Sequence, residues 1–368
     1  MRRWTADDAR MGVRIGTAIV FAALTAAATV ATVTIGTTTL FAQATPAGTA
    51  QPAGAPPAAG RPAAARPARA YTVPKTPWGD PDLQGYWTNT TTTPLQRPAE
   101  LKDKAFLTDA ELAERDKLVQ QRADQDAAPS AGNPGTYNEF WYERGRLNHR
   151  TSLITDTPDG RLPELTPAAK KRAEDDRRGR GPADSWTDRS AYERCITRGL
   201  PGAMMPGFYN HNYQILQTPD LVVIHVEMIH DARIIPLVRA NGAQRTPAPL
   251  PPTIRQWMGS SRGHWEGNTL VVETTNFNDK VREQGLIAFS TGQNLKLTGR
   301  FTRTAGDTID YEFTVNDPTF YTRPWTASLP MAKFDGPIYE YACHEGNHGL
   351  AGILSGARAE EAAAAKPK

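Results

Sequence analysis

Five consecutive residues near the C-terminus, from His344 to His348, spell the pattern H-E-x-x-H that zinc proteases carry on a helix. In those enzymes the two histidines lie on one helical face and hold the zinc ion, and the glutamate polarises the attacking water. The pattern therefore raises a metal-dependent hydrolase as the first hypothesis.

Three features of the surrounding sequence disfavour a zinc site. The preceding residues 337–343, PIYEYAC, alternate in polarity, which predicts a strand rather than a helix before the motif. Gly346 and Asn347 are poor residues for a helix interior, at a cost of roughly 1 kcal/mol relative to better helix formers. The extended zinc motif needs a glycine and then a histidine where this chain has Ala351 and Leu354.

The favoured interpretation of this segment is a strand-to-helix junction at one end of a barrel. His344 and Glu345 then project at the rim as candidate catalytic residues, and Asn347 caps the helix and is a candidate ligand-binding residue. We expect no metal ion or other cofactor, with a divalent metal at His344 and His348 as the weaker alternative. The competing interpretation limits these polar residues to capping the helix.

A second cluster of titratable residues begins within the Val/Ile-rich stretch LVVIHVEMI. Strand alternation predicts His225 and Glu227 on one face, with His230, Asp231 and Arg233 at the turn. Charged groups in an apolar run are costly unless they are paired. Glu227, His230 and Asp231 are therefore candidate acid–base residues, and Arg233 is a candidate ligand-binding residue. In the structural alternative, Arg233 pairs with Glu227 or Asp231 and holds the hairpin.

Two further segments combine polar and aromatic side chains. Arg262 in SSRGHWE is suited to clamp a carboxylate or phosphate, and Trp265 is suited to stack on a sugar or aromatic ring. Tyr209 and His211 in YNHNY offer a similar combination, and ordinary turn chemistry explains both segments equally well. The sequence contains no nucleotide-binding loop, no C-x-x-C-H haem motif and no G-x-S-x-G elbow, which disfavours a serine hydrolase.

The elements that must position these side chains have the pattern of short antiparallel strands. From Tyr213 onward apolar residues recur with period two, and Gly-containing turns at 266–268 and 305–307 separate neighbouring strands. Pro236 indicates an edge strand or a bulge. Seven or eight strands followed by a last helix predict a mainly β fold, an up-and-down, calycin- or lipocalin-like barrel or a strongly curved sheet. A β-sandwich is the alternative.

Before these strands the sequence predicts a helical and irregular covering segment. Thr108 and Glu111 form a capping box at the start of a charged helix, and Thr166 with Pro167 starts a second helix. A short strand is predicted at 151–156. The predicted organisation is therefore a covering segment at 71–205, a barrel-like domain with a C-terminal helix at 206–361, and a tail at 362–368.

The N-terminus predicts export. Residues 1–44 have a basic head, an apolar middle and an Ala-Gln-Ala exit, as a secretory signal peptide does. The apolar part is long enough for an uncleaved membrane anchor, which is the alternative. Residues 45–70 are almost entirely Pro, Ala and Gly and predict a disordered linker. We expect a periplasmic or extracellular protein that contacts a membrane through this N-terminal segment or not at all.

Cysteine and charge content both fit an exported protein that does not bind nucleic acid. In such a protein the two cysteines, Cys195 and Cys343, predict one disulfide, with two unrelated buried thiols as the alternative. Without residues 1–44, 38 basic residues face 37 acidic ones, and no basic patch with interleaved aromatic residues stands out.

Long segments taken in order carry a resemblance to other proteins. The segments are WGDPDLQGYW, SLITDTPDGRLPELTP, ERCITRGLPG, EMIHDARIIPL, GHWEGNTLVVETTNF and YEYACHEGN. Over about residues 76–361 the chain resembles a family of uncharacterised exported bacterial proteins, which implies export and a β-rich body but no particular activity. In the family form an aromatic residue follows CHEGN, so His348 is a departure from it.

Three functions of different classes are compatible with these residues. In the first, a small and partly apolar ligand binds in a barrel-type pocket, and the His, Glu, Asp and Arg side chains of the rim fix its orientation. In the second, the same rim is the acid–base or metal-assisted site of a hydrolase, lyase or isomerase. A secreted structural protein without a small ligand is the third.

Overall fold

The computed structural model describes residues 71–123, 143, 145, 147–178, 185–239, 248–281 and 292–365. The predicted signal peptide and linker, residues 1–70, lie outside the described residues, as do the last three residues of the predicted tail.

Nine β-strands of the described residues form one sheet, in the spatial order β4-β3-β2-β1-β9-β8-β7-β6-β5. Every neighbouring pair in this order is antiparallel. The strands are β1 Gly85–Thr88, β2 Asn212–Gln217, β3 Leu221–Val226, β4 Ala232–Pro236, β5 Ser260–Glu266, β6 Thr269–Thr275, β7 Lys296–Ala305, β8 Thr308–Asn316 and β9 Trp325–Lys333. The predicted mainly β fold with an up-and-down, barrel-like sheet is confirmed.

The sheet nearly closes on itself. The first and last strands pair, with Thr88 opposite Ala332, so the open edges belong to β4 and β5. Between these edges lies one parallel bridge, from Leu237 to Gly263, where the Val238 amide donates to the Gly263 carbonyl oxygen at 2.7 Å. We call the gap between β4 and β5 the seam. Pro236 lies at this edge, as predicted, where its missing N–H interrupts no ladder.

Period-two alternation in the strands produces the barrel core. On β8, Ile309, Tyr311, Phe313 and Val315 are buried, and the residues between them are partly exposed. The Tyr311 ring stacks on Phe301 of β7, with ring centroids 4.4 Å apart. Large side chains thus fill the interior, the way a small barrel buries its apolar faces. Fully buried members include Trp87, Tyr213, Phe301, Phe313 and Trp325.

In the described part of the chain, three α-helices lie outside the sheet: α1 Asp109–Ala123, α2 Pro167–Arg178 and α3 His348–Ala364. The capping box of α1 is formed as predicted, because the Thr108 amide donates to Glu111 Oε2 at 2.9 Å and the Glu111 amide donates to Thr108 Oγ1 at 3.4 Å. The Thr166 hydroxyl caps α2 by accepting from the Ala169 amide at 3.1 Å. No helix of the described ranges has the length and apolar character needed to cross a bilayer.

Two predicted strands are wrong. Residues 337–342 are irregular, because the Tyr339 and Tyr341 amides donate to Glu227 Oε1 and His230 Nδ1 instead of to a neighbouring strand. Residues 151–156 contain one isolated bridge, from Ile154 to Ala327 of β9.

Strand β1 comes from within the predicted covering segment, 71–205, and it lies between β2 and β9 in the sheet. The sequence missed β1 because its four residues, GYWT, are too few to show a period.

Candidate functional site

Three of the predicted rim residues, Glu227, His230 and Asp231, lie where β1 and β3 end and where β2 and β4 begin. The strand register places Thr88 opposite Asn212, Tyr213 opposite Val226, and His225 opposite Ala232. We call this end of the barrel the polar end.

Glu227 is buried at the polar end, where the C-terminal segment covers it. Strand β3 ends at Val226, and Glu227 begins a helical turn. Its Oε2 accepts from Asn212 Nδ2 at 2.7 Å, and its Oε1 accepts from the Tyr339 amide at 3.0 Å. The carboxylate therefore fastens the C-terminal segment to the barrel.

His230 and Asp231 occupy the same turn. The Tyr341 amide donates to His230 Nδ1 at 3.2 Å, and the His225 ring meets the His230 ring edge-on at 4.7 Å. Burial and the neighbouring His230 lower the pKa of His225. Burial raises the pKa of Asp231, and this effect outweighs the hydrogen bond that its Oδ2 accepts from Thr197 Oγ1 at 2.7 Å.

Arg198 is the buried cation of the polar end. Its Nη1 donates to His211 Nε2 at 3.0 Å, its Nη2 donates to the Tyr192 hydroxyl at 3.1 Å, and the guanidinium stacks over the Tyr192 ring at 4.5 Å. Burial alone would raise the pKa of Tyr192, but the charge of Arg198 and hydrogen bonds with Arg198, Tyr209 and Tyr341 lower it below its ordinary value. Burial raises the pKa of Tyr341 to about 12.

His211 is the neutral partner of this cation. Burial and the charge of Arg198 lower the pKa of His211 to about 3, against a hydrogen bond with the Met205 carbonyl oxygen that favours the charged form. The ring therefore accepts from Arg198 through Nε2. Gly207 packs against this ring, and a Cβ at position 207 would lie 1.9 Å from Nε2.

Left-handed backbone conformations concentrate at the polar end. Cys195, Asn210, Ile229 and His230 have φ between 54° and 62°, and the β-branched Ile229 is the most costly of them in that region. Such residues cost about 1–3 kcal/mol each and collect at sites where the fold imposes a geometry.

The predicted disulfide between Cys195 and Cys343 is present, with Cα atoms 5.6 Å apart across a sequence separation of 148. Asn347 caps α3 as predicted, because its Oδ1 accepts from the Leu350 amide at 3.1 Å. Its Nδ2 donates to the Glu193 carbonyl oxygen at 3.0 Å, which ties the start of α3 to the chain beside Cys195. Asn347 is thus occupied by structural contacts.

The H-E-x-x-H motif does not have zincin geometry. His344 and Glu345 are exposed in a turn, whereas His348 is the first residue of α3, so the two histidines do not share a helical face. Within the described part of the chain, no group of three His, Cys, Asp or Glu side chains is arranged to hold a metal ion.

Arg233 points into the barrel beside the seam instead of pairing with Glu227 or Asp231. Its Nη2 donates to Thr274 Oγ1 at 3.1 Å, and no carboxylate of the described residues forms an ion pair with it. Its buried Nε has no hydrogen-bond partner among them. The neighbouring Tyr311 is neutral, because burial raises the pKa of its hydroxyl to about 12 despite the charge of Arg233.

A cavity of about 310 Å³ lies at the seam, and we call it the seam cavity. Arg233 and Arg262 both line it, Arg233 from the buried side and Arg262 from the half-exposed side. No Asp or Glu is among its described lining residues. Strand β5 runs parallel to β4 and therefore away from the polar end. Trp265, near the C-terminal end of β5, packs against the core and does not line this cavity.

Several residues of the site have no signal in the sequence analysis. Arg198 and Thr197 lie in the segment ERCITRGLPG, and Asn212 and Tyr192 carry no recognisable motif. For Arg198, a position three residues after a predicted disulfide cysteine is the one weak sequence signal, and its burial shows only in the fold.

No family model, no curated protein and no solved structure matches this chain.

Replacement of His211 tests the electrostatics of the polar end. The folded-state pKa of His211 is lowered from about 6.5, so its contribution to stability is complete above pH 6.5 and is lost as the pH falls toward 3. His211→Gln keeps a donor and an acceptor but does not titrate. We expect the wild type to lose up to about 1.4 kcal/mol more free energy of unfolding per pH unit than this variant within that window. Urea denaturation at stepped pH measures the difference, and equal slopes would contradict it.

Proposed function

We propose that this is an exported, periplasmic or extracellular protein that binds a small, partly apolar ligand carrying an anionic group, with the seam cavity as its binding site. The ligand binds at the seam. It does not bind in the barrel interior, because large side chains fill that space.

The observation that carries this proposal is the uncompensated charge of Arg233. An isolated buried charge costs several kcal/mol unless a counter-charge neutralises it. Arg233 is 2% exposed, its Nε has no partner among the described residues, and a second arginine, Arg262, lines the same cavity. A carboxylate or phosphate group of a ligand would supply the missing negative charge, with the charge-assisted geometry that guanidinium favours.

The remaining lining supports the apolar part of the ligand. Ile234, Pro236, Leu250 and Met258 line the seam cavity alongside the two arginines. A volume of about 310 Å³ lies at the lower end of the range for small-molecule sites. One-ring carboxylates are therefore suitable probes.

Export is supported by two features. The basic and apolar N-terminal segment has the composition of a signal peptide. The Cys195–Cys343 disulfide is the kind of bond that persists outside the reducing cytosol.

Calorimetric titration with benzoate tests the seam cavity. We expect benzoate to bind the wild type and benzylamine to bind this cavity far more weakly, because the cavity offers positive charge. Arg262→Gln should weaken benzoate binding about 10- to 100-fold, the range for a lost charge-assisted hydrogen bond. Ala232→Trp, which places an indole at the exposed cavity wall, should abolish it.

Arg300→Gln is the matched control, because Arg300 lies outside the seam cavity and pairs with Glu266 at 2.8 Å. It should leave benzoate affinity unchanged. Benzoate binding that persists in Ala232→Trp would refute the site, and a wild type that binds neither benzoate nor phosphate would favour a secreted structural protein.

A second candidate function is acid–base catalysis at the polar end by a hydrolase, lyase or isomerase. The contact between Arg198 and Tyr192 favours it, because the pKa of Tyr192 is lowered while burial raises that of Asp231. Both pKa values thus move toward neutrality, as acid–base pairs require.

Turnover of small glycosides, lactones and aromatic esters tests this second function. We expect Tyr192→Phe to lower the turnover of any substrate at least about 100-fold, and to lower the free energy of unfolding by about 1–3 kcal/mol because the buried Arg198 loses an acceptor. Tyr86→Phe, on the exposed outer wall, is the control. Absence of turnover by the wild type, or equal turnover by Tyr192→Phe, would assign the polar end a structural role.

A further inference from the structure

A second cavity, of about 540 Å³, lies on the outer wall of the barrel above the paired ends of β1 and β9. Residues 145, 147 and 148 cover it, and we call it the outer cavity. None of its described lining residues belongs to the seam cavity.

The floor of the outer cavity is apolar. Pro330 and Ala332 of β9 and the following Phe334 form it. Burying a hydrocarbon body on this floor releases about 25 cal/mol per Å² of apolar surface removed from water.

The polar wall of the outer cavity presents acceptors. Asn212 is 2% exposed, and its Nδ2 is already used, donating to Glu227 Oε2 at 2.7 Å and to Glu143 Oε1 at 3.4 Å. Its buried Oδ1 has no hydrogen-bond partner among the described residues. A buried acceptor without a partner costs about 1–3 kcal/mol, so a donor from outside the chain would be stabilising there.

Glu143 adds negative charge beside this free acceptor. Its carboxylate accepts from the Asn210 amide at 3.0 Å, which fixes its position, and it is the one ionisable side chain among the described lining residues. The hydroxyls of Thr88 and Thr90 complete the polar wall.

We propose that the outer cavity is a binding site for a small primary amine with an apolar body. The ammonium group donates to Asn212 Oδ1 and to the Glu143 carboxylate, which lie side by side and suit the three donors of one ammonium. The hydrocarbon body lies on the floor formed by Ala332 and Phe334. This site takes a cation and the seam cavity takes an anion, so each can fail without the other.

Calorimetric titration with phenethylamine and with 2-phenylethanol tests the proposal, since the two probes share a body and differ in charge. We expect phenethylamine to bind the wild type at least about 10-fold more tightly than the alcohol. Glu143→Gln, an isosteric change at a half-exposed position, should bring the amine to the affinity of the alcohol.

Ala332→Trp should abolish the binding of both probes, because Ala332 is an exposed residue of the cavity floor. Ala232→Trp, the same substitution at the seam, is the matched control and should leave amine binding unchanged. The proposal is overturned if the wild type does not bind the amine, or if amine affinity survives either Glu143→Gln or Ala332→Trp. Should Glu143→Gln fail to fold by circular dichroism, Ala332→Trp with its control decides alone.

Discussion

A ring of strands in which every neighbour is antiparallel must contain an even number of strands. The described residues form nine strands, and β1 pairs with β9, so one neighbouring pair in this ring has to be parallel. That pair is β4 and β5, where the ladder is reduced to the bridge between Leu237 and Gly263. The seam is therefore a consequence of strand number. It leaves a cavity between two sheet edges, and Arg233 and Arg262 line that cavity.

Arg198 and Arg233 are both buried without a carboxylate partner among the described residues, and they are accommodated differently. Arg198 stacks on Tyr192 and donates to a neutral His211, so its charge is spread over a hydrogen-bonded cluster. Arg233 has a threonine, a thioether and a neutral phenol around it. The Nε atoms of both arginines lack a hydrogen-bond partner among the described residues. Because the contacts of Arg233 are fewer and weaker, its charge is the less compensated of the two. The disulfide holds the C-terminal segment across the polar end, and closing so long a loop is worth about 5 kcal/mol in the chain-entropy description.

The sequence predicted elements whose signal is local. The capping box at Thr108 and the helix cap at Asn347 depend on residues three positions apart, and the strands of the barrel repeat every second residue. The predictions that were wrong concern segments whose structure depends on contacts with residues far away in the sequence. The alternation of residue types in PIYEYAC resembles a strand, but the segment forms no strand ladder. Its Tyr339 and Tyr341 amides instead donate to Glu227 and His230, more than a hundred residues away. The orientation of Arg233 required knowing that β4 borders a seam, which follows from the total strand number and from no local pattern. The sequence identified Glu227, His230 and Asp231 as one cluster of titratable residues, but it did not predict which side chains they bond or that Arg233 bonds neither carboxylate.

Replacement of Arg233 by methionine tests the central claim most directly, because a binding arginine and a structural arginine respond in opposite ways. If Arg233 awaits an anionic ligand, the variant without ligand should be as stable as the wild type or more so, since an uncompensated buried charge has been removed. Benzoate should then raise the melting temperature of the wild type and leave that of the variant unchanged. Two results together would contradict the account: a variant destabilised by about 3 kcal/mol or more, and a wild type whose melting temperature does not change when benzoate is added. They would show that Arg233 stabilises the fold and does not bind an anion.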